Sequence, residues 1–358
     1  MIKKKIIFIL PSLCAGGAER VISYVAQQLN SDIFDVKLIV IGFKKDVVYD
    51  VESLNVQYLN KSRLLTSATT LFGVILKENP SIVVSSIGHV NIMMGLFSMI
   101  FRRIKFIGRE ASVVSKMSQF SSSKMVIPFF LLRFFYKRLD RIVCQSQDMK
   151  NDFIKNFKIP ASQLLVIHNP ITAMPQLMHI KNETEKIRFI TVGRLSPEKG
   201  HLRLLEVLAT IETYAFFYTI VGSGPLLSEI KDAIIRLGIQ DRVCLIPYTS
   251  KVLELLSEND YFLQGSYVEG FPNALLESCS MGTPVLAFNS PGGTKEIVEQ
   301  GINGFIVEDE LEFQSVLSDL KKLRTIDREL VKKSVFEKFE SNLIVKKYEK
   351  LLDSLIYK

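Results

Sequence analysis

Two pairs of charged side chains carry chemistry by their type and spacing. Arg194 and Lys199 lie five residues apart in Val192-Gly193-Arg194-Leu195-Ser196-Pro197-Glu198-Lys199-Gly200, a turn that follows an apolar run and opens a helical pattern. A guanidinium offers a planar fork of donors and an ammonium a compact charge, so together they suit a diphosphate whose developing charge must be neutralised as it leaves. Solvated loop charges are the plainer alternative. In Glu269-Gly270-Phe271-Pro272-Asn273-Ala274-Leu275-Leu276-Glu277, one carboxylate precedes a helix and a second follows about two turns along it. Carboxylates accept hydrogen bonds in pairs from vicinal hydroxyls, so sugar and ribose rings are natural ligands, and a helix start near Asn273 favours phosphate. A surface glutamate pair is the ordinary alternative.

Glycine turns surround these residues. Gly16 and Gly17 stand between the first apolar run and a helical pattern, where backbone amides can face an anion, although they lack the full G-x-G-x-x-G spacing and a simple bend explains them equally well. Val221-Gly222-Ser223-Gly224-Pro225 repeats the arrangement, with Pro225 at a first helical position. Ser290-Pro291-Gly292-Gly293-Thr294-Lys295-Glu296 does so again, with Thr294 as a cap.

Such turns need strands before them and helices after them, and the chain supplies both. Short apolar runs at Ile6–Leu10, Val36–Ile41, Ile82–Val84, Phe106–Ile107, Ile142–Cys144 and Leu164–Ile167 alternate with helical patterns. The alternation stops in the polar stretch Thr172 to Lys186 and restarts at Ile187–Val192, Tyr218–Val221, Val243–Ile246, Tyr261–Leu263 and Val285–Ala287. This predicts an α/β chain of two Rossmann-like, doubly wound domains facing a cleft, with residues 1–172 in the first and 173–340 in the second. The charged helical segment 341–358 has no partner on sequence grounds; a return onto the first domain is one placement. The length of 358 residues, 47% of them hydrophobic and 23% charged, is enough for two packed cores.

Composition narrows the partners. Cys14, Cys144, Cys244 and Cys279 form no C-x-x-C pair, which fits a reducing compartment and no zinc site. Lys3 to Lys5 precede an apolar run too short for a signal peptide. Residues 79–101 lack a formal charge, yet Ser85, Ser86, Gly88, His89 and Asn91 divide them into strand, loop and helix rather than one membrane span. Residues 1–172 hold 23 basic against 11 acidic side chains, and residues 102–141 alone carry ten basic against two acidic. These charges alternate with the apolar block Met125–Tyr136, as expected of a segment that lies on an anionic membrane surface. No stacking-aromatic motif or recognition helix accompanies them, so nucleic acid is not the expected partner.

In order and spacing, the motifs from Gly16-Gly17-Ala18-Glu19-Arg20 through Arg194 and Lys199 to Glu269, Glu277 and Gly292-Gly293-Thr294-Lys295-Glu296 resemble glycosyltransferase family 4 over nearly the whole chain. The resemblance implies the GT-B fold and transfer from a nucleotide sugar, a UDP-sugar being favoured, with retention of anomeric configuration. By that similarity, Arg194 and Lys199 hold the donor diphosphate, Glu277 the ribose hydroxyls and Glu269 the transferred sugar. Gly16 and Gly17 line the opposite wall, and Gly222, Gly224, Gly270, Phe271, Pro272 and Asn273 complete the donor site. Arg194, Lys199 and Glu269 are the implied catalytic residues.

The first domain departs from family members that place a histidine or aspartate near the reacting sugar. Here His89 and Glu110 are the candidates for that chemistry, and Arg109 for contact with the acceptor, a saccharide or lipid-linked oligosaccharide. No Asp-x-Asp motif follows a strand, so neither a metal nor another cofactor is expected. The expected location is cytoplasmic, peripheral on the inner face of the cell membrane. A non-catalytic scaffold is the alternative reading. A dinucleotide-dependent oxidoreductase fits less well, because the first glycine turn lacks the dinucleotide fingerprint.

Overall fold

A computed structural model describes residues 3–120, 128–172, 186–319, 323 and 325–356. The N-terminal part of the apolar block, Met125 to Ile127, and most of the polar stretch between the predicted domains lie outside these residues. The chain divides into two compact units, one drawn from Met1–Ser115, Ser122–Thr172 and Ser341–Lys358, the other from Lys116–Ser121 and Ala173–Glu340.

The first unit is a parallel sheet of seven strands: β1 (Lys4–Leu10), β2 (Phe34–Val40), β3 (Asn55–Tyr58), β4 (Ile82–Ser86), β5 (Lys105–Arg109), β6 (Arg141–Cys144) and β7 (Leu164–Val166). Their spatial order is β3-β2-β1-β4-β5-β6-β7. Crossover helices cover the faces of such a sheet, so its central strands read as unbroken apolar runs rather than alternating ones. Ile6 to Leu10 are each 0% exposed, and Ile6 to Ile9 pair in register with both neighbours, Ile6 opposite Val36 and Ile82. The uncharged stretch 79–101 is divided between β4 and the helix Gly88–Phe97. Among the described residues, no helix is long and apolar enough to cross a membrane.

The second unit repeats the scheme with β8 (Ile187–Val192), β9 (Phe216–Val221), β10 (Val243–Ile246), β11 (Tyr261–Gln264), β12 (Val285–Phe288) and β13 (Gly304–Val307). The order is β10-β9-β8-β11-β12-β13, again all parallel. The two strands that pattern reading misses, β3 and β13, are both four residues long and both at a sheet edge. Asn55 to Tyr58 bury no residue fully, so they show no apolar run.

In each sheet the strand order reverses once, between β1 and β4 in the first unit and between β8 and β11 in the second. Loops leaving the carboxyl ends of those strands turn in opposite directions and leave a crevice, the place where open α/β sheets bind ligands. The chemistry-bearing turns after β1, β4, β8 and β11 all fall there.

The helix Ser341–Ile356 belongs to the first unit. Ile344, Val345, Tyr348, Leu351, Leu352 and Leu355 recur at helical spacing and join the core formed by Val21, Ile22 and Val25 of the helix Gly17–Gln28 and by the central strands. Leu352→Ala is expected to cost about 2–5 kcal/mol as a buried truncation, seen as a lower midpoint in urea unfolding followed by circular dichroism. An unchanged midpoint would mean that this helix does not hold the core together.

Candidate functional site

The second unit brings Lys199 and Glu269, two of its charged motif residues, together at the reversal between β8 and β11. A small cavity at this edge is lined by Lys199, His201, Ser266, Glu269, Pro272 and Asn273, among others. Lys199 Nζ lies 2.7 Å from Glu269 Oε1, and Ser266 Oγ donates to the same oxygen at 2.6 Å. The Glu269 side chain is 9% exposed and that of Lys199 28%, so this ion pair is screened much less than one on the open surface. Lys199 and Ser266 thus converge on one oxygen of the carboxylate.

Close backbone contacts bring the turns together. Gly200 has φ 60°, and a Cβ there would meet the carbonyl oxygen of Gly265 at 1.9 Å. The Lys199 turn and the loop after β11 therefore touch backbone to backbone, an approach open only to glycine. Gly292, with φ 125°, lies under the next segment in the same way, a Cβ there reaching Glu269 O at 2.1 Å. Glu269 N–H donates to Pro291 O at 2.9 Å and Gly293 N–H to Gly270 O at 3.0 Å. The loop that carries Glu269 is thus seated on the turn before the helix Thr294–Ile297.

Not every expected donor residue reaches the cavity. Arg194 is exposed and outside its lining, as are Glu277, which is buried on the helix Asn273–Ser280, and the glycines Gly222 and Gly224. Those glycines lie against the backbone of Gly193 to Leu195, and Leu195 N–H donates to Ser223 O at 3.0 Å, so they support the turn that bears Arg194. Phe271 was expected among the donor contacts. Its ring instead packs on Phe339 at 5.4 Å and against Gly293, because a large apolar side chain gains more from the core than from a polar cavity.

Sequence reasoning missed three residues of this site. His201 is fully buried and hydrogen-bonds through Nε2 to Arg194 O at 3.0 Å. Burial pushes its pKa down, so the imidazole is neutral and donates through Nε2, which leaves the buried Nδ1 as an acceptor without a protein partner among the described residues. Its place directly after Gly200 was the available signal. Ser266 and Arg203 had none, since a serine in a loop and an arginine in a helix ordinarily face water.

The first unit gathers its candidates at the reversal between β1 and β4, in a different chemical state. Gly16 caps the helix Gly17–Gln28, and its amide donates to the Tyr49 hydroxyl at 2.7 Å. Glu19, in the first turn, folds its carboxylate back so far that a Cβ on Gly16 would meet Glu19 Oε2 at 2.2 Å. Burial pushes the Glu19 pKa up, opposed by its own amide, the charge of Arg109 and a hydrogen bond from Ser12. An acidic side chain therefore covers the glycine turn that the resemblance assigns to the donor.

Arg109 does not present its guanidinium for contact with an acceptor. It is 0% exposed and donates to Ser86 Oγ at 3.2 Å and Asn169 Oδ1 at 2.7 Å. The end of β5 lies inside the sheet, and a cation buried there is committed to internal acceptors. Glu110 is 3% exposed and accepts from the Tyr136 hydroxyl, from Ala111 N–H at 3.1 Å and from Asn91 Nδ2 at 3.4 Å. Burial raises its pKa, and the donors from Tyr136, Ala111 and Asn91 oppose that rise together with the charge of Arg109. His89 stands exposed one residue into the helix Gly88–Phe97, and Ile87 before it has φ 78°. A β-branched residue at positive φ is strained and is held only where its surroundings dictate it, as at many functional loops.

The chain also has relatives among known proteins. The family model described as Glycosyltransferase Family 4 matches residues 15–173, and that described as Glycosyl transferases group 1 matches residues 176–333. An uncharacterized glycosyltransferase of Haemophilus influenzae is 29% identical over 85% of this chain and 86% of its own. The N-acetylgalactosamine-N,N'-diacetylbacillosaminyl-diphospho-undecaprenol 4-alpha-N-acetylgalactosaminyltransferase of Campylobacter jejuni is 23% identical over 88% of this chain and 89% of its own. The Anabaena protein HepE, solved in complex with UDP, superposes with a TM-score of 0.78 at 19% identity, covering 98% of this chain and 100% of that one.

The contact beneath Glu269 can be probed directly. Gly292→Ala is expected to cost about 1–3 kcal/mol through backbone strain, seen as a lower melting temperature in calorimetry. Gly73→Ala, in a helix with nothing within 4 Å of the added Cβ, is expected to be neutral or stabilising by up to about 1 kcal/mol. Equal effects of the two substitutions would contradict the seating of the Glu269 loop on Gly292.

Proposed function

The chain belongs to the family 4-type glycosyltransferases of GT-B fold, and from that premise we propose that it transfers a hexose or N-acetylhexosamine from a UDP-sugar, with retention of configuration, to a lipid-diphosphate-linked saccharide in surface glycan assembly. The observation that carries this reading is the ion pair of Lys199 and Glu269, joined by Ser266, at the ligand-binding edge of the second sheet. A cation suited to a departing diphosphate and a carboxylate suited to sugar hydroxyls stand side by side there, which supports this reading. The donor assignment draws further support from the UDP-bound structure of HepE, and the acceptor assignment from the diphospho-undecaprenol substrate in the name of the Campylobacter relative.

In the proposed reaction, the bond between the anomeric carbon and the diphosphate oxygen breaks while Lys199 and Arg194 stabilise the charge on the departing diphosphate. The acceptor hydroxyl attacks the same face of the sugar, and its proton passes to an oxygen of the leaving phosphate. The two cations supply the charge stabilisation, so the scheme calls for no divalent metal.

The first unit supports the membrane part of the proposal. The helix Phe129–Tyr136 exposes Phe129, Phe130, Leu131 and Phe134, with Phe130 70% accessible, while Tyr136 is buried. Leu96, Met99 and Ile100 are exposed shortly before Arg102 and Arg103, and Arg138 lies 4.9 Å from the Phe134 ring. Apolar side chains fringed by arginine suit the interface of an anionic bilayer on the cytoplasmic face.

Arg194→Ala and Lys199→Ala are each expected to lower turnover by roughly 100- to 1000-fold, measured as sugar release from UDP-, GDP- and ADP-sugars in EDTA. Wild-type rates in both variants would remove the clamp from the mechanism, and silence of the wild type across the donors would favour a scaffold. The protein is expected to sediment with vesicles containing phosphatidylglycerol and less with pure phosphatidylcholine, and Phe130→Glu to reduce that binding. Equal sedimentation with both vesicle types would rule out recognition of an anionic surface.

A further inference from the structure

We propose that Arg203 is a positioning residue for the donor sugar, acting through the loop that carries Ser266 and Glu269; the proposal rests on the reading of Glu269 as the sugar-binding carboxylate. Arg203 lies in the first turn of the helix His201–Ala209. Its guanidinium carbon is 4.0 Å from the ring centre of Tyr267 and 3.7 Å from that of Phe288. Nε donates to Gly265 O and Nη2 to Ser266 O, each at 2.5 Å. Aromatic contacts engage the group, and its fixed fork of donors meets two successive carbonyls, a combination that an ammonium cannot reproduce.

This arrangement determines where the loop points its other groups. Two consecutive carbonyls are turned toward Arg203, and the Ser266 hydroxyl is directed onto Glu269 Oε1, the atom that also receives Lys199. Stacking on Tyr267 is reinforced by Phe120, whose ring lies 5.8 Å from it at an interplanar angle of 22°. No ion pair of Arg203 with a carboxylate occurs among the described residues, and burial pulls its pKa below the usual arginine value. A desolvated cation held by rings and carbonyls contributes little as a surface charge; its effect lies in the geometry of the loop.

The loop keeps other anchors when Arg203 is changed. Tyr267 N–H donates to Glu198 O at 2.8 Å and Glu269 N–H to Pro291 O at 2.9 Å, and Gly200 still abuts Gly265. Substitution therefore loosens the aim of Ser266 and Glu269 without unfolding the unit. The nucleotide diphosphate, held by Arg194 and Lys199 in the proposed function, is affected far less than the sugar.

The test uses the full chain with Arg203→Met, which keeps an unbranched stem but no donors, and Arg203→Lys, which keeps charge without the fork. Amide hydrogen exchange at residues 265–269 is expected to accelerate in both variants, with residues 216–221 of β9 as an unchanged internal reference. UDP affinity, by calorimetry, is expected to change less than about threefold, while kcat for sugar release from UDP-glucose or UDP-N-acetylglucosamine falls roughly 10- to 100-fold, the scale of a misplaced reacting group. Unchanged exchange with unchanged kcat overturns the proposal. So does a loss of UDP affinity parallel to the loss of turnover, which would make Arg203 part of the nucleotide site. A wild type that neither binds UDP nor releases sugar counts against the proposed function, and the exchange measurement then decides the role of Arg203 by itself.

Discussion

The half-buried contact between Lys199 and Glu269 sets the demands that the rest of the second unit meets. Two charges brought out of water cost more than their attraction returns unless geometry and further hydrogen bonds are good. Here the distance is 2.7 Å and Ser266 adds a donor to the same carboxylate oxygen. Holding that geometry requires loops from two different strands to meet backbone to backbone. Glycine at 200 and 265 permits the meeting, Gly292 supports it from below, and Arg203 and His201 fix the carbonyls on either side. A parallel sheet is what makes the convergence possible, since all its strands deliver their carboxyl ends to one edge.

The two units share a topology and use it differently. At the reversal in the second sheet, a partly exposed cation and a carboxylate stand at an open cavity. At the reversal in the first, the charged groups are turned inward: Arg109 is committed to Ser86 and Asn169, Glu110 to Tyr136, Asn91 and Ala111, and Glu19 is folded over Gly16. This buried network reaches the amphipathic helix through Tyr136, whose neighbours Phe134 and Phe130 are exposed. The charged network behind the sheet edge and the apolar surface of the unit are thus two sides of one element.

Much of the architecture was legible as pattern. Strands covered on both faces favour unbroken apolar runs, so β1 and β4 declare themselves through Ile6–Leu10 and Ile82–Val84, and β8 through a mostly apolar run broken by Arg188 and Thr191. The edge strands β3 and β13 escaped because four residues carry too little periodicity, and those of β3 are also partly exposed. The sequence pattern ends the strand at Ile107 and puts Arg109 in the loop beyond it; only the neighbouring strands β4 and β6 reveal that Arg109 is the enclosed end of β5. Phe271 belongs to the motif by sequence but to the core by its contact with Phe339.

The sequence by itself determined the fold class, the resemblance to family 4, and the charged residue types at the turns. These follow from local periodicity and from motifs read within a few residues of one another. Only the tertiary structure decided which of those charges meet, that the last helix completes the core of the first unit, and that Arg203 serves the loop of Glu269. Those pairings join residues far apart in the chain, 70 positions between Lys199 and Glu269 and 319 between Asn30 and Glu349 of the last helix. No local pattern encodes such a meeting, because it depends on which strand ends become neighbours when the sheet closes its order.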